Sequence, residues 1–312
     1  MKAFVGITDS DWFSFLAARP NLDEVNFWQP SGATQFRALA PSELFLFKLH
    51  APRQFIVGGA LFAYSTILPL SLAWDAFEEK NGAISLDEMR LRIAKYRRTM
   101  PDPRTDYEVG CVLLVQPFFL GEPDWIPAPA DWRAEIVRGK SYDLTAGEGR
   151  RLWAQLVERV PATMGGVEQP EQPVPLVAEP RYGTPVTVLP RLVQGTFRVV
   201  VTDAYDRQCA VTGERTLPVL EAAHVRPYGR SGPHDPRNGL LLRSDVHTLF
   251  DRGYVTVTPE MRLEVSRRIR EEFENGRAYY DLHGGVVRAA QRKDWAVAPE
   301  FLEWHTSNVY RG

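Results

Sequence analysis

VLEAAHVRPYGRSGPHDPRNGLLLRSDVHTLFDR, residues 219–252, decides the architecture of the C-terminal half of this chain. PVLEAAHVRPY reads as a strand that enters a turn at Pro227. GLLLR reads as a short second strand, and SDVHTLFD as a helix with Ser244 at its N-cap. Two short strands and a helix form one compact unit. It carries three side chains of interest: His224 at the end of the first strand, Asn238 on the loop between the strands, and His247 on the helix.

Those residue types suit phosphodiester chemistry. Cleavage needs a water made nucleophilic and a leaving oxygen whose charge is stabilised. A neutral imidazole takes a proton near neutral pH, and a divalent ion stabilises the departing oxygen. A one-metal site therefore needs one free histidine and a few oxygen or nitrogen ligands. The hairpin places His224 and His247 face to face, with Asn238 tying the loop to the first strand.

The segment resembles the HNH, or ββα-metal, endonuclease superfamily. The likeness rests on CAVTG at 209–213, LEAAHVRPY at 220–228, RNGLLL at 237–242 and SDVHTLFDRG at 244–253, in that order. It extends over about 191–312. The resemblance implies that His224 is the general base, that His247 is a metal ligand, and that Asn238 organises the hairpin or approaches the metal. Many relatives carry Asp or His just before the general base as a ligand; here that position is Ala223. Strand alternation puts residue 221 on the same side as 223, so the longer Glu221 is the expected substitute, with Asp245 and His234 as alternatives. Oxygen and nitrogen ligands suit Mg, the expected ion, and equally Mn, Co or Ni. Cys209 and Cys111 form no CxxC pair, and Cys209 is expected to be a small buried residue. Asp251 is read as a structural group at the helix end, His234 as exposed in its Gly/Pro-rich loop, and His50, His283 and His305 as structural residues.

LPRLVQGTFRVVVTDAYD reads as a helix before this segment. YVTVTPEMRLEVS reads as a hairpin after it, and PEFLEWHTSNVYR as a closing helix. Residues 161–190 are rich in Pro and Gly, lack hydrophobic periodicity, and read as a semi-extended linker. They separate a unit at 1–160 from the unit at 191–312. In the first unit AFVGITD, ELFLFKLH, FIVGGALFAY and GCVLLVQPFFL read as strands. DWFSFLAAR, SLDEMRLRIAKYRR (Ser85 as N-cap) and EGRRLWAQLVERV read as helices. No regular βαβ alternation appears, so the expected class is α+β.

The N-terminal unit resembles the PUA superfamily, which includes EVE, YTH and SRA-type domains. NFWQPSG at 26–32, read as an aromatic-bearing loop, precedes SELFLFKLH at 42–50 and IVGGALF at 56–62, whose Gly pair permits close backbone approach. The resemblance implies a curved β-barrel with a pocket for one extruded base. Unstacking a base costs a few kcal/mol, which an aromatic wall and hydrogen bonds to the base edge offset. Trp12, Phe27 and Trp28 are the candidate walls; Asn26 and Ser31 are the candidate polar readers.

A PUA-like reader joined to an HNH unit looks like the modification-dependent restriction endonucleases. That resemblance implies cleavage of double-stranded DNA near 5-methylcytosine or 5-hydroxymethylcytosine. A double-strand break by single-site units implies a homodimer. Two other readings stand beside it: an HNH nuclease that recognises plain sequence, another mark or RNA, and a non-catalytic reader with a degenerate HNH unit. Composition neither favours nor excludes nucleic acid: 44% of residues are apolar, 24% charged, and the net charge is −2, while phosphate binding depends on local patches. No apolar run approaches the roughly 20 residues of a membrane helix. MKAFVGITDSDWF lacks the pattern of a secretory signal, so a cytoplasmic location is expected.

Overall fold

A computed structural model describes residues 1–98, 102, 104–160, 192–230 and 232–312. The chain divides into two compact units, Met1–Pro190 and Arg191–Gly312. The expected linker at 161–190 lies outside the described residues.

The first unit runs β1 (Lys2–Thr8), α1 (Ser10–Ala17), β2 (Glu24–Gln29), β3 (Leu44–Leu49), β4 (Phe55–Pro69), α2 (Leu70–Phe77), α3 (Leu86–Arg97), β5 (Glu108–Phe119), β6 (Ile126–Pro127), β7 (Gly139–Asp143) and α4 (Gly147–Arg159). The seven strands form one sheet in the order β2-β5-β4-β3-β1-β7, with β6 beside β4. Only the β1–β3 pairing is parallel; the others are antiparallel. Register shifts within β3–β4 and β4–β5 bend the sheet. Among the described residues the path is open, with β2 and β7 at its ends.

The two faces of the sheet have different tasks. Ala3, Val5, Leu46 and Ile56 pack with Leu152 and Leu156 of α4. The alternate positions hold an aromatic cluster: Phe27, Phe45 and Phe47 contact one another, and Trp12 of α1 meets Phe27 and Phe47 edge-on. The Gly pair of β4 is required by space. A Cβ on Gly58 would lie 2.2 Å from the Phe118 carbonyl oxygen, and one on Gly59 would lie 2.8 Å from that of Phe45. Asn26–Gln29, expected as part of a loop, belongs instead to β2, antiparallel to β5 through Asn26↔Leu113 and Trp28↔Cys111. Alternating contacts on both faces of a bent sheet hold these residues extended. At α3, Ser85 accepts a hydrogen bond from the Glu88 N–H, as the sequence implies.

The second unit runs α5 (Gln194–Ala204), β8 (Leu220–His224), β9 (Gly239–Arg243), α6 (Ser244–Asp251), β10 (Val255–Val257), β11 (Leu263–Val265), α7 (Arg268–Phe273), α8 (Arg277–Tyr280) and α9 (Pro299–Asn308). β8 and β9 pair antiparallel, from Leu220↔Arg243 to His224↔Gly239. Leu240, Leu241 and Leu242 are all fully buried. Such a run, without alternation, is what a strand covered on both faces requires. The backbone of β9 is also tied to the loop before it, through the Ala210 N–H to the Leu241 carbonyl and the Arg243 N–H to Cys209 Sγ. α6 follows β9 without a connecting residue. Ser244 is its first residue, not its cap: Arg243 occupies the cap position and no side chain caps the end. Gly253, just past α6, has φ +75°, and a Cβ there would lie 2.0 Å from the Val309 carbonyl oxygen. Glycine lets the chain turn out of α6 against the end of α9.

Candidate active site

His224 ends β8 half-buried, its ring stacked on Phe197 of α5 at 3.8 Å between centroids and 9° between planes. Burial, with His234 and His247 nearby, pushes its pKa down to about 4. The imidazole is therefore neutral at physiological pH, the state a proton acceptor needs. Its Nε2 lies 3.0 Å from Nδ1 of His234.

Asn238 is fully buried and completely engaged with the backbone. Its Oδ1 accepts from the Arg226 N–H at 2.8 Å, and its Nδ2 donates to the carbonyls of Arg226 and Pro233 at 2.9 and 3.0 Å. Its own carbonyl accepts from the Val225 N–H. Every polar atom of the Asn238 side chain is used inside the hairpin loop. The side chain ties Arg226 to Pro233 across the loop.

Facing His224 across the fold, α6 presents His247 and, one turn later, Asp251. His247 Nδ1 lies 2.6 Å from Glu221 Oε2, and its Nε2 lies 3.4 Å from Asp251 Oδ2. Partial burial and the Glu221 charge push the Asp251 carboxyl up, with His247 opposing them. Ala223 has no exposed surface, while Glu221 reaches out to α6. Asp245, an alternative ligand, is held instead by Arg243 through two hydrogen bonds, at 2.6 and 2.8 Å, and by Tyr279. A cleft of about 490 Å³ is lined by His224, Asp251, Arg252, Asn308 and Arg311 among others.

Among the described residues no group of three or more His, Cys, Asp or Glu is arranged as a metal site. The chemistry of Glu221, His247 and Asp251 nevertheless fits a divalent ion. Their donor types are two carboxylate groups on either side of one imidazole, at 2.6 and 3.4 Å, a set of oxygen and nitrogen atoms that suits such an ion.

The first unit has a cavity of about 310 Å³, lined by Trp12, Phe27, Trp28 and Ser31 together with Asp9, His50, Tyr96 and Arg138. Trp28 is fixed by its Nε1–H, which donates to the Asn81 carbonyl at 3.0 Å. Asp9 Oδ1 caps α1, accepting from the Asp11 and Trp12 N–H groups, and its Oδ2 accepts from the Tyr96 hydroxyl. Burial pushes the Asp9 carboxyl up, but these hydrogen bonds outweigh it and hold the pKa lowered. His50 lies nearly parallel to the Tyr96 ring, 6.3 Å between centroids, and burial pushes its pKa down. Asn26 does not line the cavity: it is fully buried and donates to Asn81 Oδ1 at 2.9 Å and towards Cys111 Sγ at 3.4 Å. The strand places it beside Asn81, where it supports the wall behind Trp28.

Residues 209–258 match the family described as HNH endonuclease. This segment is an HNH domain. No curated protein sequence matches the chain. By structure it is similar to ASCH from Zymomonas mobilis, at 11% identity over 49% of this chain and 94% of that one, with a TM-score of 0.31. It is also similar to a structure described as the modification-dependent TagI restriction endonuclease, at 15% identity over 93% of this chain and 77% of that one, with a TM-score of 0.29.

The fold brings His224, His247 and Glu221 of the HNH domain to one locality, and adds Asp251, expected as a structural group, and His234, expected as exposed and as an alternative ligand. Asp251 stands four residues after His247, a spacing that puts both on one helix face; that spacing was a usable signal. His234 is half-buried against His224 and not exposed. In the first unit the fold gathers Trp12, Phe27, Trp28 and Ser31, omits Asn26, and adds Asp9, His50, Tyr96 and Arg138 from four separate segments.

Proposed function

We propose that the chain is a metal-dependent DNA endonuclease whose first unit reads a modified cytosine and whose HNH domain hydrolyses a nearby phosphodiester. The observation that carries the nuclease reading is the neutral, partly buried His224 sharing one cleft with Asp251 inside a segment that matches the HNH endonuclease family. His224 accepts the proton of the attacking water. Glu221, His247 and Asp251 hold the divalent ion, of which Mg is the expected one. When bound, the ion stabilises negative charge on the phosphate and the leaving oxygen. Arg252 and Arg311 line the same cleft and offer guanidinium groups to backbone phosphates. Asn238 holds the loop that carries the site. One site nicks one strand, so a double-strand break requires two protomers on DNA.

The base-reading half of the proposal rests on the cavity at Trp12, Phe27, Trp28 and Ser31. Its aromatic lining and its mix of donors and acceptors suit a planar base taken out of the stack. The decisive experiment compares the full chain with His224→Ala on matched duplexes carrying cytosine, 5-methylcytosine or 5-hydroxymethylcytosine. Cleavage is expected only of modified DNA and only by the unaltered chain, with DNA binding retained in the variant. A His224→Ala protein that cuts at the normal rate overturns the assignment. One observation favours a second reading, a reader with an inactive HNH unit: Ala223 supplies no ligand where relatives carry one. Metal-dependent nicking of a plasmid excludes that reading.

A further inference from the structure

We propose that His234 is a positioning residue that selects the tautomer of His224; the inference rests on the nuclease reading of the HNH domain. The two rings meet through Nε2 of His224 and Nδ1 of His234, 3.0 Å apart. Each neutral imidazole has one N–H and one lone pair, so the contact admits two arrangements. In the first, His224 carries its proton on Nε2 and donates to His234. Its Nδ1 lone pair is then free to accept a proton from water. In the second, His234 donates, the Nε2 lone pair of His224 is spent, and its Nδ1 is protonated. That ring has no basic site left. Only the first arrangement makes a general base. Among the described residues the His224 ring has no other hydrogen bond, so its tautomer is set through this contact with His234.

The surroundings fix this contact. Phe197 covers one face of His224. Tyr228 stacks on His234 with centroids 4.4 Å apart and planes 20° apart. Asn238 bonds Arg226, two residues after His224, and Pro233, one residue before His234. The loop between the two histidines is thus closed by the asparagine. Its link to the chemistry is that it keeps His234 against His224. A carboxylate in the place of His234 would also orient His224, but it would add a negative charge beside it; a second imidazole orients the ring without that charge.

The test uses the full chain and two variants, His234→Phe and His234→Asn. Phenylalanine keeps the ring between Tyr228 and Phe197 and removes the acceptor. Asparagine places an oxygen near the position of Nδ1. Nitrogen-15 NMR of histidine-labelled protein reads the His224 tautomer directly, and steady-state cleavage of a 5-methylcytosine duplex with Mg reads kcat and KM. In the unaltered chain Nδ1 of His224 is expected to be unprotonated. In His234→Phe the tautomers mix and kcat falls about 10- to 100-fold, while KM stays within about twofold. His234→Asn restores the tautomer and most of kcat. An unchanged tautomer in His234→Phe overturns the proposal, as does an equal loss of kcat in both variants. If the unaltered chain cuts no DNA, the nuclease reading fails separately, and the NMR comparison still decides what His234 does to His224.

Discussion

Nδ1 of His247 lies 2.6 Å from Oε2 of Glu221, across the gap between α6 and β8. Glu221 stands two residues before the vacant ligand position at Ala223, and strand alternation puts both on one side of β8. A one-carbon side chain at 223 is covered there, whereas the longer glutamate reaches α6. Glu221→Ala is therefore expected to weaken Mn binding to the full chain by at least about tenfold. Asp251→Ala should do the same. Isothermal titration with Mn measures both, and an affinity unchanged in either variant removes that residue from the site.

The depressed pKa of His224 sets the acid side of the reaction. Its value of about 4 lies below the ordinary 6.5 because burial disfavours the imidazolium, and the nearby histidines add to this. The base form therefore persists to low pH. Cleavage measured as kcat/KM is expected to stay level on its acid side between about pH 5 and pH 7, where an unperturbed histidine would lose most of its basic form. A half-maximal point near the ordinary histidine value would show that His224 is not the proton acceptor.

The parts of the fold that were legible in sequence are those with strong local signals. β8, β9 and α6 announce themselves by composition and length; His224 ends β8, His247 lies on α6, and Asn238 lies in the turn just before β9. What was not legible depends on long-range closure. Nothing local marks His234 as different from any loop histidine; its burial follows from Asn238 bonding the Pro233 carbonyl. NFWQ reads as a loop because Pro30 and Gly32 follow it, yet pairing with β5, distant in sequence, makes it a strand. The cavity partners Asp9, His50, Tyr96 and Arg138 come from four segments, so no spacing rule could join them.

Asn238→Ala tests whether the middle residue of the motif acts on structure. Removing the amide leaves the Arg226 N–H and the carbonyls of Arg226 and Pro233 without the partner they have. Buried groups stripped of hydrogen bonds cost about 1–3 kcal/mol each, less where water enters. A loss of about 2–4 kcal/mol in unfolding free energy is expected for the second unit. Urea denaturation followed by tryptophan fluorescence measures it. A stability within about 0.5 kcal/mol of the unaltered chain would mean that the loop is held by other contacts.

Acid stability has a separate source in His305. Its Nε2–H donates to the Phe250 carbonyl at 3.0 Å, so its Nδ1 accepts from the Thr256 hydroxyl at 2.9 Å. The ring stacks on Phe250 and is almost fully buried. Burial pushes its pKa down to about 4, although the carbonyl opposes the shift. A folded value below the unfolded one means that the neutral ring's contribution is complete above about pH 6.5 and is lost as pH falls towards 4. At about 1.4 kcal/mol per pH unit, the loss approaches about 3 kcal/mol. His305→Gln keeps a donor for the carbonyl and removes the titration. Its stability is expected to fall less steeply between pH 7 and pH 4.5 than that of the unaltered chain (about 1–3 kcal/mol difference). Equal slopes in the two proteins would assign the acid sensitivity elsewhere.

The cavity of the first unit is best tested by filling it. Ser31 is exposed and lines the opening, so its side chain can grow without displacing the aromatic cluster. Replacing Trp28 would be a poorer probe, because its N–H bond to the Asn81 carbonyl ties it to the fold. In Ser31→Trp the added indole occupies the place of an extruded base. Stacking contributes about 1–3 kcal/mol per base, so preference for a 5-methylcytosine duplex over its unmodified match should fall by about 10-fold or more. Fluorescence anisotropy with both duplexes reads the preference, and the thermal midpoint checks that the fold is retained. A variant that folds normally and still prefers the modified duplex to the original degree would place base reading outside this cavity.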